Sequence, residues 1–491
     1  MSWSEVWMIM PIVWLAIGAM AVLVVDALVR REGHAHLALT SLLFLGLSAG
    51  SVISRLGVGG PAEAAVFSGA LRADAFSDFF NLIFVGVAIL SILTGSVYFG
   101  RERRPLPEFY PLVLFATVGM MVLAAATDLV TLFVGLETMS IALYILAAIQ
   151  RNSILSNEAG FKYLILGAFS SAFLLYGMAL LYGSTRTLHL ELMVSAVQSD
   201  PAIAQSLLFV AGWGLLLVGL GFKVAMVPFH MWTPDVYDGS PAPVAGFMAA
   251  GVKAASFAAM LRVAWAGAPT FFQAWGPAIS GLAILTMVFG NVVALAQTNL
   301  KRMLAYSAIA HAGYLLMGIL VSRPDADDAA ASGVLFYLLG YGLMNVGAFA
   351  IVTLVSRREG ESADIAGFAG LARRNPVASA AMAICLLSLA GIPPTAGFWG
   401  KLYIFDAVVR SGHVGLAVIA LLNSAVAMFY YLRVIVAMYM REPRADAYEG
   451  DNLQVSLTMA LVAVLILWIG IAPGTVAELA RQGTAALASA F

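Results

Sequence analysis

Cysteine occurs once in the 491 residues, at Cys385, and lysine only five times. A single thiol excludes an intramolecular disulfide and any four-thiolate metal or iron-sulfur site. Charge is scarce as well: 11% of residues are charged and 62% are hydrophobic, whereas soluble domains hold about 45–50% apolar residues. With a mean hydropathy of +0.93, the composition excludes a soluble globule and requires an integral membrane protein. The formal net charge of −1 offers no basic surface for nucleic acid. Six histidines show no metal-ligand spacing, and no nucleophile triad, phosphate loop or dinucleotide glycine pattern appears. The start of the chain lacks a basic region, and its apolar run reaches Arg30, so it reads as a retained first helix.

What is abundant is long apolar sequence. A crossing helix needs about 20 mostly apolar residues, and fourteen segments qualify: 5–29, 36–56, 75–99, 109–126, 128–149, 160–183, 206–229, 242–265, 275–296, 302–321, 331–355, 377–405, 413–439 and 455–473. No strand pattern of period two competes with them. The expected fold is therefore an all-α integral membrane bundle of about 14 transmembrane helices in one domain. Its connections 184–205, 356–376 and 441–454 are too short for a soluble module. Cations in alternate connections are unequal. One side holds Arg30, Arg31, Arg101, Arg103, Arg104, Arg151, Lys301, Arg302, Arg357, Arg358, Arg373, Arg374, Arg441 and Arg444; the other holds Arg55, Arg72, Arg186, Arg323, Arg410 and Arg481. Lysine and arginine gather on the cytoplasmic side of membrane proteins, so this asymmetry puts both termini outside.

Two segments carry internal prolines, Pro228 and Pro234 in the seventh and Pro393 and Pro394 in the twelfth. Each loses backbone hydrogen bonds there, and broken helices are tolerated in a bilayer only where they are buried or line a cavity. A simple kink is the plain reading of either alone. Their placement says more: if segments 4–8 and 9–13 are two five-helix units, the break falls in the fourth helix of both, and an odd helix count inverts the second copy. Inverted repeats with matched breaks place functional sites near the midplane. The chain then divides into three N-terminal helices (1–105), a first repeat (106–266), a second repeat (267–440) and a C-terminal helix (441–491).

The scarce lysines stand where charge costs most. Lys162, Lys223, Lys253 and Lys401 fall within or at the edge of apolar segments, where a charge at the bilayer centre costs about 2.5–3.5 kcal/mol on insertion scales and marks an ion or proton path. Glu137 joins them in LFVGLETMSIALY, and His311 lies in AYSAIAHAGYLL. Desolvation disfavours a charged group and an opposite charge within about 4–6 Å favours it, so a changing Glu137–Lys223 distance would change the lysine's hold on its proton. Plainer readings stand beside these. Lys162 near a helix start can snorkel to the interface; Glu137 and Lys223 can be a static ion pair; His311 and His230 can be core histidines; Asp26 and Asp128 lie at helix ends.

The stretches VPFHMWTPDVYDGSPAPVAGF, KRMLAYSAIAHAGY and GIPPTAGFWGK, in that order, resemble the antiporter-like membrane subunits of respiratory complex I and of multisubunit cation/proton antiporters, over about residues 70–440. Within that family Lys401 sets the chain apart from a branch with glutamate at that place, and its short C-terminal part from a longer branch with a lateral helix. The resemblance implies proton transfer through Glu137, Lys223, Lys253, Lys401 and Lys162, and His311, read from its place in an apolar run, joins them as a candidate relay. It implies no cofactor in this chain, and NAD, FMN, iron-sulfur clusters and quinone in partner subunits. The expected partners are other membrane-arm subunits and the lipid bilayer, and the expected place is a bacterial inner membrane. A cation/proton antiporter subunit without redox partners is the alternative, and a structural spacer, indifferent to loss of these charges, is a third.

Overall fold

The computed structural model describes residues 3–29, 34–57, 64–100, 106–267, 270–324, 328–355, 363–443 and 452–491. Of the cations counted above, Arg30, Arg31, Arg101, Arg103, Arg104, Arg357, Arg358 and Arg444 lie outside the described residues.

The chain opens with α1 (Trp3–Leu28), α2 (Ala35–Gly57) and α3 (Ala75–Gly100). A short antiparallel hairpin precedes α3, with β1 (Ala64–Val66) paired to β2 (Leu71–Ala73) so that Ala65 faces Arg72; the sequence carries no strand signal there because three residues are too few for a period to show. Next come α4 (Phe109–Ala125), α5 (Leu129–Ala147) and α6 (Ile154–Thr185). The connection after α6 holds two small helices, α7 (Leu190–Ser199) and α8 (Ala202–Gln205). The first interrupted segment is α9 (Leu207–Val224) and α10 (Trp232–Gly239); α11 (Ala242–Phe247), a π-helical turn over Met248–Val252 and α12 (Lys253–Ala266) form the following helix.

The second half runs α13 (Thr270–Ala296), α14 (Leu300–Val321) and α15 (Ala329–Val355), then a short α16 (Leu371–Arg374). The second interrupted segment is α17 (Pro376–Ala390) and α18 (Ala396–Arg410), followed by α19 (Val414–Met440), α20 (Leu453–Ile471) and α21 (Gly474–Ala488). Among the described residues twelve helices are long and apolar enough to cross a membrane. The other two expected crossings correspond to the shorter apolar helix α4 and to the α17–α18 pair. The last residues fold as α21 against α3 and α15.

Helix starts follow side-chain chemistry. Asp128, Ser153, Ser206, Asn299 and Asn375 each cap a helix by accepting from backbone N–H groups of its first turn, as short polar residues at that position do. Ser153 sets the start of α6 six residues earlier than apolar content alone would, so Lys162 lies beyond two helical turns rather than at the helix edge. Asp128 and Asn299 share a wider construction. Leu129 N donates to Leu188 O (3.0 Å) and Leu190 N to Thr127 O (2.9 Å), while Leu300 N donates to Ala363 O (2.7 Å) and Ile365 N to Thr298 O (2.8 Å). In each half the connection after the third helix thus pins the start of the second.

The pairing α4 on α5 is likewise matched by α13 on α14. A Cβ on Gly119 would sit 2.3 Å from Met139 N and 2.8 Å from Gly135 O; one on Gly290 would sit 2.6 Å from Ala310 N and 2.9 Å from Tyr306 O. Both helix pairs approach through backbone at the same relative positions, the small-residue contact typical of membrane helices. The two breaks match too. At α9 the left-handed cap is Ala225 (φ 63°), with Met226 N donating to Gly221 O at 2.8 Å; at α17 it is Gly391 (φ 86°), with Ile392 N donating to Leu387 O at 3.0 Å. Both ends are Schellman-type caps.

Candidate functional site

Lys223 stands in the last turn of α9, just before the break, and Lys401 in the second turn of α18, just after its counterpart. Lys253 opens α12 directly after the π-helical turn, an irregularity that often accompanies functional sites. All three are buried, at 2%, 5% and 2% exposure for Lys223, Lys401 and Lys253. What surrounds them is oxygen dipoles and aromatic faces.

Lys401 Nζ donates to Leu389 O (2.9 Å), Ala390 O (3.0 Å) and Ser424 Oγ (2.8 Å), and lies 5.2 Å from the Tyr314 ring centre. The two carbonyls are end groups of α17, left without helical partners by the break, and a helix C-terminus attracts a cation. Gly391 leaves room for this, since a Cβ there would lie 2.9 Å from Lys401 Cδ. Lys253 Nζ donates to Ala308 O of α14 and lies 5.5 Å from the Tyr341 ring centre. Lys223 Nζ donates to Tyr144 Oη (3.3 Å) and lies 5.2 Å from the ring centres of both Tyr144 and Tyr163.

His311 lies within electrostatic reach of both Lys253 and Lys401. It follows Ala308 by one turn of α14 and bonds two hydroxyls, Tyr337 at Nδ1 and Tyr431 at Nε2 (3.0 Å). Tyr431 also bonds Ser307. Tyr314, whose ring covers Lys401, accepts from Asn291 Nδ2 (3.2 Å), and Asn291 accepts from Tyr430 (3.0 Å). Lysine, imidazole and tyrosine hydroxyls can each give or take a proton, and α12, α14, α15, α18 and α19 bring three such groups into the buried interior: Lys253, His311 with Tyr337 and Tyr431, and Lys401. The sequence pointed to its lysines and its histidine. The tyrosines were missed, since sixteen of them are spread through the chain and an aromatic in an apolar run gives no sign of where its hydroxyl points.

Glu137 lies within electrostatic reach of Lys223 but is not in direct contact with it. It is half-buried on α5, accepts from Ser171 of α6, and among the described residues forms no ion pair within 4.0 Å of Lys223. Its neighbours Val134 and Ile141, one turn to either side, are 53% and 55% exposed. The oxygen that does hold Lys223 is on the same helix: Tyr144 follows Glu137 by two turns, a spacing that puts both on one face.

Lys162 belongs to another cluster, at the end of the bundle where α14 begins. Its Nζ is 2.6 Å from both Glu158 and Asp235, and Arg302 bonds the other oxygen of Asp235 at 2.8 Å. Asp128 caps α5, and His230 packs edge-on to Phe289 with ring centres 4.6 Å apart. Arg262 and Asp74, both fully buried, pair at 2.8 Å where α12 meets the start of α3. Among the described residues no group of three or more His, Cys, Asp and Glu gathers as a metal site would.

Comparison with known proteins places this geometry. The model of the family described as NADH:quinone oxidoreductase/Mrp antiporter, transmembrane part, matches residues 126–427. The chain is 45% identical over 476 residues to NADH-quinone oxidoreductase subunit N of Trichlorobacter lovleyi, covering 96% of each. It is 41% identical to subunit N of Chloroflexus aggregans, covering 97% of this chain and 96% of that one. A chain of respiratory complex I from Thermus thermophilus superposes with a TM-score of 0.81 at 37% identity, over 96% of this chain and 99% of that one. A chain of an Mrp complex from a Dietzia species shares the fold, with a TM-score of 0.83 at 21% identity over 99% of this chain and 98% of that one.

Proposed function

The chain belongs to the family of membrane subunits shared by NADH:quinone oxidoreductases and Mrp antiporters, on its subunit N branch, and from that premise we propose that its buried lysines carry protons across the membrane. It is a multi-pass membrane protein and a proton-translocating membrane-arm subunit of NADH-quinone oxidoreductase, assembled with other membrane-arm subunits. In this reading NADH oxidation and quinone reduction, with NAD, FMN and iron-sulfur clusters, belong to partner subunits, and this chain contributes the translocase step. The membrane is a bacterial inner membrane, with both termini on the outer side and the Lys162–Arg302 end toward the cytoplasm. The division into residues 1–105, 106–266, 267–440 and 441–491 is part of the same reading, supported by the matched caps at Asp128 and Asn299 and by the matched breaks.

The observation that carries the proposal is the set of buried exchangeable groups: Lys253 on Ala308 O of α14, His311 one turn further on with its two tyrosine hydroxyls, and Lys401 on the end carbonyls of α17. Protons enter near Lys253 and leave through Lys401. Glu137 and Lys223 act as the gate: Lys223 rests on Tyr144, and exchanging that hydroxyl for the carboxylate strengthens its hold on a proton. A hundredfold change in that hold is about 2.7 kcal/mol, enough against the about 2.3 kcal/mol needed to move one charge through 100 mV.

The test is NADH-driven proton pumping in membrane vesicles carrying Lys401→Ala or Lys223→Ala, alongside NADH-ferricyanide activity and a native gel. Pumping should fall severalfold or more in an assembled complex. Unchanged pumping in both variants would remove the lysines from the path, and parent membranes whose complex containing this chain lacks NADH activity would move it to the antiporters.

A further inference from the structure

The Lys162 cluster lies apart from the lysine series, and its anchor, Asp235, is a carboxylate shared by two cations from the two halves of the chain. Lys162 comes from α6 and Arg302 from α14, at 2.6 and 2.8 Å from its two oxygens. Asp235 itself lies on α10, the short helix beyond the first break. One turn before it, Trp232 stacks on Tyr163 with ring centres 4.5 Å apart and planes 7° from parallel. Tyr163 adjoins Lys162 on α6, so α10 and α6 are joined twice over, by an ion pair and by a ring stack next to it. Trp232 also donates through Nε1 to Phe222 O at 2.8 Å, the residue beside Lys223.

These contacts are ordered along α10. Trp232, Asp235 and Asp238 succeed one another at three-residue steps on one face. Asp238 bonds Asn299 at 2.7 Å, at the very start of α14, so the helix runs from the neighbourhood of Lys223 to the end of the bundle. The ring pair Tyr163–Trp232, 0% and 2% exposed, therefore stands between Lys223 and that end. We infer that Asp235 is a positioning residue: clamped by Lys162 and Arg302, it holds α10 as a lid whose Trp232–Tyr163 stack closes Lys223 to the arginine-rich face. This rests on the proposed role of Lys223 in proton transfer. Because Arg302 sits six residues before Ala308 on α14, which holds Lys253, the clamp also ties the lid to the second site.

Breaking the clamp should open the lid. In inside-out vesicles with the whole complex, the thiol in Lys223→Cys is exposed to an impermeant methanethiosulfonate, with and without Asp235→Asn, and its modification is followed by mass spectrometry. Modification should be at least about tenfold faster with Asp235→Asn, and Asp235→Glu should restore the slow rate. In the otherwise unchanged chain, Asp235→Asn should lower protons pumped per NADH while ferricyanide activity persists. Equal modification rates in the two backgrounds overturn the lid. Should Asp235→Asn fail to assemble, Trp232→Leu removes the stack and leaves the ions; no acceleration there overturns the inference equally. Parent-like pumping by Lys223→Cys alone would instead sink the proposed function and leave the accessibility result standing.

Discussion

At the scale of single residues, the cost of burying an ammonium is met here by oxygens rather than by carboxylates. Lys401 has three, two of them carbonyls that the break in the helix leaves free. The third, Ser424, is the one that substitution can reach. Hydrogen bonds to charged groups contribute about 1.5–3 kcal/mol, so Ser424→Ala should slow NADH-driven pumping by about tenfold, and Ser424→Thr, which keeps the hydroxyl, should stay near the parent rate. Equal pumping by all three would mean that Lys401 keeps one charge state through turnover. The lysines, Glu137 and His311 were legible because an ionisable residue in an apolar run violates the surrounding composition. Tyr144, Tyr431 and Ser424 violate nothing, and their roles exist only where other helices bring a lysine or imidazole to them. Asp235 was hidden for another reason: in WTPDVYDG it reads as part of a polar connection, and only the fold sets it between two cations.

At the scale of elements, proline announced both breaks but not their construction. The left-handed caps at Ala225 and Gly391 end α9 and α17 a few residues before the prolines, and Lys401 reaches back to the second of these ends. The π-helical turn before Lys253 left no sequence signal at all, since MAAGV is compatible with an ordinary helix. Gly119 and Gly290 are where helices meet backbone to backbone, and overpacking a tight contact costs about 1–3 kcal/mol. Gly119→Ala and Gly290→Ala should each lower the temperature at which the complex loses its assembled form on a native gel. Gly281→Ala, with nothing within 4 Å of its Cβ, should leave it unchanged. Parent-like behaviour of all three would mean that these helix pairs have slack to separate.

At the scale of the whole molecule, orientation is the first consequence to check. With the α14 start toward the cytoplasm, a thiol placed at the exposed Arg151 should react with an impermeant maleimide from the cytoplasmic face, and one at Gly412, beyond α18, from the outside. The reverse pattern would turn the proton path around. Membrane class, the places of the two breaks and the identity of the buried lysines followed from the sequence alone. Each is a matter of hydrophobic length, backbone donors lost at proline, or charge where charge is expensive, and those are properties of a residue and its near neighbours in the chain. The partners were decided by the tertiary structure: Tyr144 rather than Glu137 at Lys223, α17 carbonyls at Lys401, and Asp235 between Lys162 and Arg302. Those contacts join residues far apart in the chain, and a hydrogen bond acts over about 3 Å, so only the packing of helices selects which polar groups meet.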